Sequence, residues 1–301
     1  MKDNKIALTI DIEDWYHTPA ITGSNFSIYP DVPSFMKSWE NKYDYLTKPL
    51  YYTLDLLNQL KLKSTFFIVA DVIDYYPKLV ELIARDGHEI GCHGLHHAAK
   101  IHTKTKLSKF TPVEFEDRTS MAREKLSKLS GQPIYGYRAP GGYIAEWMFK
   151  SLQGLGFKYD SSVNSNSFFN KTDFTTKNIN SSPYWIKIGK DGKRLLEMPW
   201  PFLKIGPIRF PTAGGPFLRL FGSNYIIKGL KQSISRGNSI FYFHSIDLST
   251  EPFPQVVKKN KKRPFYWIIK GERVQIYLKK ILEEFENSWA TCHDIYKTMS
   301  L

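Results

Sequence analysis

The chain has 301 residues, of which 42% are hydrophobic, 15% aromatic and 24% charged. This composition supports a large buried core and excludes disorder for most of the chain. The net charge of +13 at pH 7 favours anionic partners, such as an acidic glycan, a membrane surface or nucleic acid, without distinguishing among them.

Cysteine usage and the absence of a long apolar stretch bear on the compartment. Cys92 and Cys292 are the only cysteines, and they are far apart in the sequence. They form neither a disulfide framework nor a Cys-x-x-Cys pair, which favours a reducing compartment. No apolar stretch has the length of a signal peptide or a membrane span. We therefore expect a cytoplasmic protein, and a position at the inner membrane surface is compatible with that expectation.

Strand and helix patterns alternate along the chain. The first half predicts a strand over 6–11, a helix over 47–61, a strand over 64–69, a helix from Pro77 to Gly87, a strand over 88–91 and a helix from about 111 to 130. The second half predicts strands over 134–137, 157–160, 195–198, 239–243 and 290–295, and helices over 144–155, 222–235 and 266–287. Residues 164–194 are rich in Asn, Ser, Thr and Lys and predict an irregular insertion with a hairpin at Asp191-Gly192. We treat 1–301 as one domain.

This order of elements predicts an α/β fold with a parallel sheet, of the (β/α) barrel kind. Such sheets place functional residues at the carboxyl ends of their strands. Polar residues follow several predicted strands at that end: Asp11, His93, Arg138, Asp160 and His244. We expect them to converge on one face of the protein.

The pair His93 and His97 has the spacing of metal ligands. Two imidazoles one helical turn apart, with a carboxylate nearby, form a facial site that leaves coordination positions open. The polar cluster Asp11-Ile12-Glu13-Asp14 supplies candidate carboxylates. Zn²⁺ suits this donor set, with Co²⁺, Ni²⁺ or Mn²⁺ as alternatives. A cation held in this way can activate water, so the sequence predicts a hydrolase.

The order of the motifs resembles a known family. The motifs are Thr9–Asp14, His93-x3-His97, Arg138-Ala139-Pro140, Tyr159-Asp160-Ser161-Ser162 and Phe243-His244. Together they resemble the polysaccharide deacetylases of carbohydrate esterase family 4, over roughly residues 6 to 295. The Asp-x-Glu-Asp-Trp-Tyr-His opening and Phe210–Gly215 resemble a divergent branch found in bacterial exopolysaccharide and O-antigen gene clusters. The resemblance implies a distorted, incomplete (β/α)7-type barrel.

The resemblance also implies roles for four residues. Asp11 corresponds to the catalytic base, which takes a proton from the attacking water. Arg138 corresponds to the arginine that pairs with this base and orients it. Asp160 corresponds to the acidic residue that holds the arginine. His244 corresponds to the general acid, which protonates the departing amine, and Asp247 is positioned to tune it.

The third metal ligand is left open at this point. His93 and His97 match the family's histidines, but this chain departs from the family's two adjacent aspartates. A spacing of one residue makes Glu13 the ligand by strand alternation, and Asp14 is the competing choice. We favour Glu13 and expect the other carboxylate to cap the following helical turn.

The predicted reaction is hydrolysis of an N-acetyl group on an amino sugar of a bacterial surface polysaccharide or its precursor. The backbone N–H of Tyr143 is a candidate donor to the developing oxyanion. The alternatives are another hydrolase of non-peptide C–N bonds on the same scaffold, acting on cyclic ureides or formylated sugars, or a non-catalytic glycan-binding protein. The expected partner is an amino-sugar glycan and not nucleic acid, and the sequence does not determine the oligomeric state.

Two further features are candidates for contacts outside the reacting group. Aromatic residues near the motifs could stack on sugar rings: Trp15, Tyr16, Tyr143, Trp185 and Trp200. The basic run Lys258–Arg263, followed by Pro264-Phe265-Tyr266-Trp267, suits contact with anionic lipid headgroups.

Overall fold

The computed structural model describes residues 3–18, 21–22, 27–38, 43–98, 108–168, 171–190, 192–252 and 269–301. The basic run Lys258–Arg263 lies outside the described residues, and so does its predicted membrane contact. Within the described ranges, none of the helices is both long enough and apolar enough to cross a bilayer.

The described residues form short strands and helices that alternate along the chain. The strands are β1 (Ile6–Ile12), β2 (Thr65–Ile68), β3 (Glu89–Cys92), β4 (Gly136–Tyr137), β5 (Tyr159–Asp160), β6 (Tyr184–Ile188), β7 (Lys193–Glu197), β8 (Phe202–Ile205), β9 (Ile208–Pro211), β10 (Ser239–His244) and β11 (Trp289–Ala290). The helices are α1 (Val32–Met36), α2 (Thr47–Gln59), α3 (Val72–Tyr75), α4 (Pro77–Arg85), α5 (Pro112–Ser130), α6 (Glu146–Gly154), α7 (Gly215–Ile234), α8 (Glu272–Glu284) and α9 (Cys292–Ser300). Single 3-10 turns cover Trp15–His17, Pro140–Gly142 and Ser245–Leu248.

One curled sheet carries the fold. Its strands lie in the order β10-β1-β2-β3-β4-β5-β7-β6, with β11 also paired to β1. Neighbours along this path run parallel except β6, which is antiparallel to β7. Among the described strands, β10 and β6 end the path without pairing to each other, so the sheet is a half-barrel. The predicted α/β fold with an incomplete barrel is confirmed.

Strand alternation divides the core into two layers. Along β1, Leu8 and Ile10 belong to the large cluster between the sheet and the helices, whereas Ala7 belongs to a second cluster on the inner face. All three side chains are fully buried. Burial of an aliphatic side chain such as Leu8 stabilises the fold by about 1.5–3 kcal/mol. Helix α9 contributes Cys292 and Ile295 to the inner cluster and so closes that side of the half-barrel.

Helix α5 shows how local sequence sets an element's bounds. The Thr111 side chain accepts a hydrogen bond from the Glu114 N–H, and Pro112 occupies the first turn. Gly131 ends the helix with φ of 67°, a conformation that glycine adopts without strain. The predicted helix from about 111 to 130 is therefore confirmed.

Two predicted elements at the carboxyl-terminal end are corrected. The final strand was predicted over 290–295, but β11 ends at Ala290 and Thr291 caps helix α9 through a reciprocal bond with Asp294. Helix α7 begins at Gly215 rather than at 222 because Pro216 suits a first helical turn, and a kink at Gly222 separates its two parts. The last predicted helix, 266–287, corresponds to α8, which spans Glu272–Glu284.

The region around 164–194 is less irregular than expected. Strands β6 and β7, on either side of the predicted hairpin, pair antiparallel, and Asp191 itself lies outside the described residues. A second hairpin, β8 with β9, lies in the Pro-rich stretch where no strand was predicted. The two cysteines, Cys92 and Cys292, are buried free thiols.

Candidate metal centre and catalytic residues

The carboxyl end of β1 carries alternating functional side chains. Because successive residues of a strand face opposite sides, Thr9, Asp11 and Glu13 point to the inner face. Asp11 lies in register with His244 on β10, which brings the ends of these two strands together. The end of β3 delivers His93 next to the end of β4.

Glu13 and the two predicted histidines converge. The Glu13 Oε1 atom lies 3.0 Å from His93 Nε2 and 2.9 Å from His97 Nε2. One potential ligand atom of each residue, a carboxylate oxygen or an imidazole nitrogen, lies within 4.8 Å of the other two. The Nδ1–H of His93 donates to the Arg138 carbonyl oxygen at 2.8 Å, which leaves the lone pair of Nε2 directed at the cluster.

His97 has the properties of a metal ligand. Its backbone has a φ of 47°, a left-handed conformation that turns the ring toward Glu13. Its buried Nε2 atom makes no hydrogen bond of acceptable geometry to any described residue. Burial lowers the pKa of His97, which favours the neutral imidazole that binds metals.

The charge of Glu13 completes a donor set for a divalent cation. Burial alone would raise the pKa of Glu13, but His97 and His244 and the close contact with the His93 and His97 rings hold this pKa well below its usual range. One carboxylate and two imidazoles match the sites of Zn²⁺ and similar ions with open positions. The residues present therefore fit a divalent metal.

Asp14, the competing choice for the third metal ligand, has the capping role that was expected for the other carboxylate. It is fully buried and caps the 3-10 turn that follows, where its Oδ1 accepts the Trp15 N–H at 2.7 Å. The backbone N–H of Asp14 donates to His17 Nδ1 at 3.0 Å. Because Asp14 faces away from Glu13 along the chain, its carboxylate does not join the cluster.

Asp11 and Arg138 form a buried ion pair beside the cluster. The Arg138 Nη1 atom donates to Asp11 Oδ1 at 2.6 Å and to Thr9 Oγ1 at 3.0 Å. Arg138 is 0% exposed, and its guanidinium lies 4.2 Å from the centroid of the Phe67 ring. Removing one partner of such a pair costs about 3–5 kcal/mol, so the two charges hold each other in place.

The predicted contact between Asp160 and Arg138 is corrected. Arg138 is held by Ser161, whose carbonyl oxygen accepts from Nε at 3.1 Å and whose hydroxyl accepts from Nη2 at 3.0 Å. Strand alternation turns Asp160 to the other side, where it accepts from the Ser162 hydroxyl at 2.7 Å. Asp160 lies in register with Glu197, and burial raises the pKa of both carboxyls.

His244 lies at the edge of the same cluster with its own carboxylate. Its Nε2 is 3.7 Å from Glu13 Oε1, and its Nδ1 is 3.2 Å from Asp247 Oδ2. Asp247 also forms an ion pair with Arg219, in which Arg219 Nη2 lies 3.1 Å from Asp247 Oδ1. Burial would lower the pKa of His244, but Glu13 and Asp247 outweigh it and raise this pKa to about 9. His244 is therefore poised to give up a proton at the cluster.

Sequence reasoning missed Asp71, because no motif surrounds it. This buried carboxylate lies 2.9 Å from His17 Nε2 and 3.0 Å from His96 Nδ1. Burial would raise the pKa of Asp71, but the two imidazoles lower it to about 2. Asp71 thereby ties the turn after Glu13 to the loop that carries His93 and His97.

Most of the predicted sugar-stacking aromatics lie in the core. Trp15 and Tyr16 are fully buried, and Trp200 donates its indole N–H to the Ser161 carbonyl oxygen at 3.0 Å. Tyr143 and Trp185 are partly exposed. The Tyr143 N–H already donates to the Pro140 carbonyl oxygen at 3.3 Å, so the prediction of an oxyanion donor there is not supported.

Comparison with protein families finds two matching models. Residues 41–159 match the family model described as polysaccharide deacetylase, and residues 161–297 match one described as a domain of unknown function, DUF3473. The first match includes His93, His97 and Arg138 and does not extend to Asp11, Glu13 or His244.

Three individual proteins illustrate the similarity. A peptidoglycan-N-acetylglucosamine deacetylase of Bacillus cereus is 30% identical over 105 residues, which cover 35% of this chain and 46% of that protein. A Mycobacterium smegmatis structure assigned to the polysaccharide deacetylases is 18% identical with a TM-score of 0.61, covering 99% of this chain and 91% of that chain. The structure of Puue allantoinase is 14% identical with a TM-score of 0.60, covering 98% and 90%. The chain spans less than half the length of the curated relative, and the two structures are similar in fold alone.

Proposed function

We propose that the protein is a metal-dependent N-deacetylase that acts on an amino sugar of a bacterial surface polysaccharide or its precursor. One observation carries the proposal: Glu13, His93 and His97 form a cation-ready cluster that also contacts a base, Asp11, and an acid, His244. Similarity to the polysaccharide deacetylase family supports the same reaction class.

The cluster of Glu13, His93 and His97 would hold the cation. When bound there, a divalent metal supplies Lewis-acid chemistry, which polarises a carbonyl group and makes water more acidic. The second nitrogen of His93 stays on the Arg138 carbonyl oxygen, which fixes the orientation of the ring.

Asp11 is the base of the proposed reaction. Its Oδ1 is occupied by Arg138, so the other carboxylate oxygen is the one available to accept a proton from the attacking water. The buried guanidinium keeps this carboxylate oriented throughout the reaction.

His244 is the acid of the proposed reaction. Its Nδ1 side faces Asp247, so its Nε2–H is the proton directed at the cluster, where the leaving amine nitrogen would lie. Transfer of this proton breaks the C–N bond and releases acetate and a free amino sugar. A protein that only binds glycan would need neither this acid nor the Asp11–Arg138 pair, which favours the enzyme over the binding protein.

The test measures acetate release by the metal-loaded protein from N-acetylated oligosaccharides, with formate release and ring opening of allantoin measured in parallel. Asp11→Asn and His93→Ala are each expected to reduce acetate release about 100-fold or more while the fold persists. The exposed carboxylate Asp74, in a surface pair with Lys125, provides the control Asp74→Asn, which should remain fully active. Full activity of either active-site variant would refute the assignment, and formate or allantoin turnover without acetate would replace it by the other hydrolase.

A further inference from the structure

A cleft opens beside the candidate centre at the carboxyl edge of the sheet. It is lined by Gly94 and His96, from the loop that carries the metal-ligand histidines, and by Pro140 and Tyr143, from the loop that follows Arg138. The two loops touch, because a Cβ placed on Gly94 would lie 2.9 Å from the Pro140 ring. The cleft therefore shares its walls with the loops that position the reacting groups.

Helix α5 closes the outer side of the cleft with its first two turns. Phe115, Arg118 and Thr119 line the cleft from this helix. These residues line the same cleft as Gly94 and His96, which follow the carboxyl end of β3, so the first turns of the helix lie at the same edge as the centre. A sugar next to the reacting residue of an oligosaccharide would lie in this direction.

The walls combine aromatic rings with positive charge. The Arg118 guanidinium lies 5.7 Å from the centroid of the Phe110 ring. Lys171 is not part of this lining; its ammonium lies 4.9 Å from the centroid of the Tyr143 ring and donates to the Gly141 carbonyl oxygen at 2.7 Å. Aromatic faces suit the apolar faces of sugar rings, and the Arg118 guanidinium favours an anionic ligand.

Arg118 is the residue of the cleft lining that is able to pair with an anionic ligand. Among the described residues no carboxylate forms an ion pair with it, and the described lining contains no Asp or Glu. A guanidinium presents five N–H donors in a fork that matches a carboxylate. A single guanidinium balances the one charge of a carboxylate, whereas a phosphate monoester carries nearly two charges.

We propose that this cleft binds an acidic sugar residue adjacent to the N-acetylated one, with its carboxylate paired to Arg118 and its ring packed against Tyr143 and Phe110. The proposal rests on the proposed function and specifies its substrate class as a carboxylate-bearing glycan. The net charge of +13 increases the rate of encounter with such a polyanion.

The test compares two oligosaccharides by calorimetric titration of the full chain. A hyaluronan tetrasaccharide alternates N-acetylglucosamine with glucuronate, and a chitin tetrasaccharide is neutral. The wild type should bind the acidic probe about tenfold more tightly, and Arg118→Met should remove this preference. Arg118→Lys, which retains the charge but not the fork, should keep part of it.

The control is a matched loss of charge on the same helix. Lys128 is exposed and lies about 15 Å along the helix from Arg118, so Lys128→Met should keep the preference. A phosphorylated sugar that competes better than glucuronate would overturn the carboxylate assignment. Equal binding of both probes by the wild type, or equal weakening by Arg118→Met and Lys128→Met, would overturn the subsite.

Binding requires no turnover, so the two proposals fail separately. Arg118-dependent binding of the acidic probe without any acetate release refutes the deacetylase and leaves the subsite in place. Acetate release that is equally fast from both probes and is unaffected by Arg118→Met refutes the subsite alone.

Discussion

Two groups of buried carboxylates lie at the same edge of the sheet and have opposite surroundings. Glu13 faces the imidazoles of His93, His97 and His244, and these hold its pKa well below the usual range. Asp160 and Glu197 face each other, and burial raises the pKa of both. The first group is a charged ligand suited to a cation, whereas the second is a pair of carboxyls whose neutral form burial favours.

The difference shows that burial alone does not define a metal site. Asp160 and Glu197 are fully buried and Glu13 is largely buried, and for each carboxyl the loss of hydration favours the neutral form. Only at Glu13 do neighbouring groups offset this cost and also present nitrogen lone pairs toward one point. Asp160 instead accepts a hydrogen bond from the Ser162 hydroxyl, which in turn accepts the Ala139 N–H next to Arg138, and Glu197 accepts the Val163 N–H.

The same substitution in the two groups should give the largest contrast. Glu13→Gln is expected to weaken Zn²⁺ binding by about 100-fold or more, because it removes a charged ligand. Glu197→Gln should leave Zn²⁺ affinity within about twofold of the wild type, since its carboxyl contacts no ligand. Calorimetric titration of the metal-stripped variants with Zn²⁺ measures both affinities. Wild-type affinity in Glu13→Gln would contradict the assignment of Glu13 as a metal ligand.

A second contrast concerns two aspartates, one beside the acid and one in the pair. Asp247→Asn should lower kcat for acetate release about tenfold or more, because His244 loses the charge that favours its protonated form. Metal affinity should not change. Asp160→Asn should change kcat less than about twofold, because Ser161 rather than Asp160 holds Arg138. A large kcat loss in Asp160→Asn would restore the original assignment of this residue.

The third contrast is a stability difference that depends on pH. The pKa of Glu197 is raised in the folded state, so its contribution to stability is present below the unfolded pKa and is lost as the pH rises toward the folded pKa. In Glu197→Gln, a neutral amide of similar shape replaces the protonated carboxyl, and this amide does not titrate between pH 5 and pH 8. Relative to the wild type, we expect the variant to gain about 1–3 kcal/mol in the free energy of unfolding between pH 5 and pH 8. Urea unfolding at the two pH values measures this gain, and a pH-independent difference would argue against the raised pKa of Glu197.

The sequence predicted the sheet and the convergence of Asp11, His93, Arg138 and His244 because strand ends meet by topology. Strand alternation favoured Glu13 over Asp14 without excluding Asp14, since both are acidic and the turn after β1 decides which side chain faces the histidines. It misplaced Asp160 for a related reason: the strand is two residues long, and alternation turns its carboxylate away from Arg138.

The remaining differences involve contacts distant in sequence. Asp71 contacts His17 and His96, which are distant from it in the sequence, and no motif around Asp71 predicts these ion pairs. Trp15 and Tyr16 follow the acidic motif directly, yet they pack into the core with Phe35 instead of facing a sugar. Propensity and motif position carry little information about such packing.

Anomalous diffraction from a crystal grown with Zn²⁺ and measured at the zinc absorption edge tests the central claim most directly. The account predicts one strong peak about 2.0–2.3 Å from a Glu13 carboxylate oxygen and from the Nε2 atoms of His93 and His97. A peak bound instead by Asp14 and His17, or the absence of any peak at the Glu13 cluster in a crystal saturated with zinc, would contradict it.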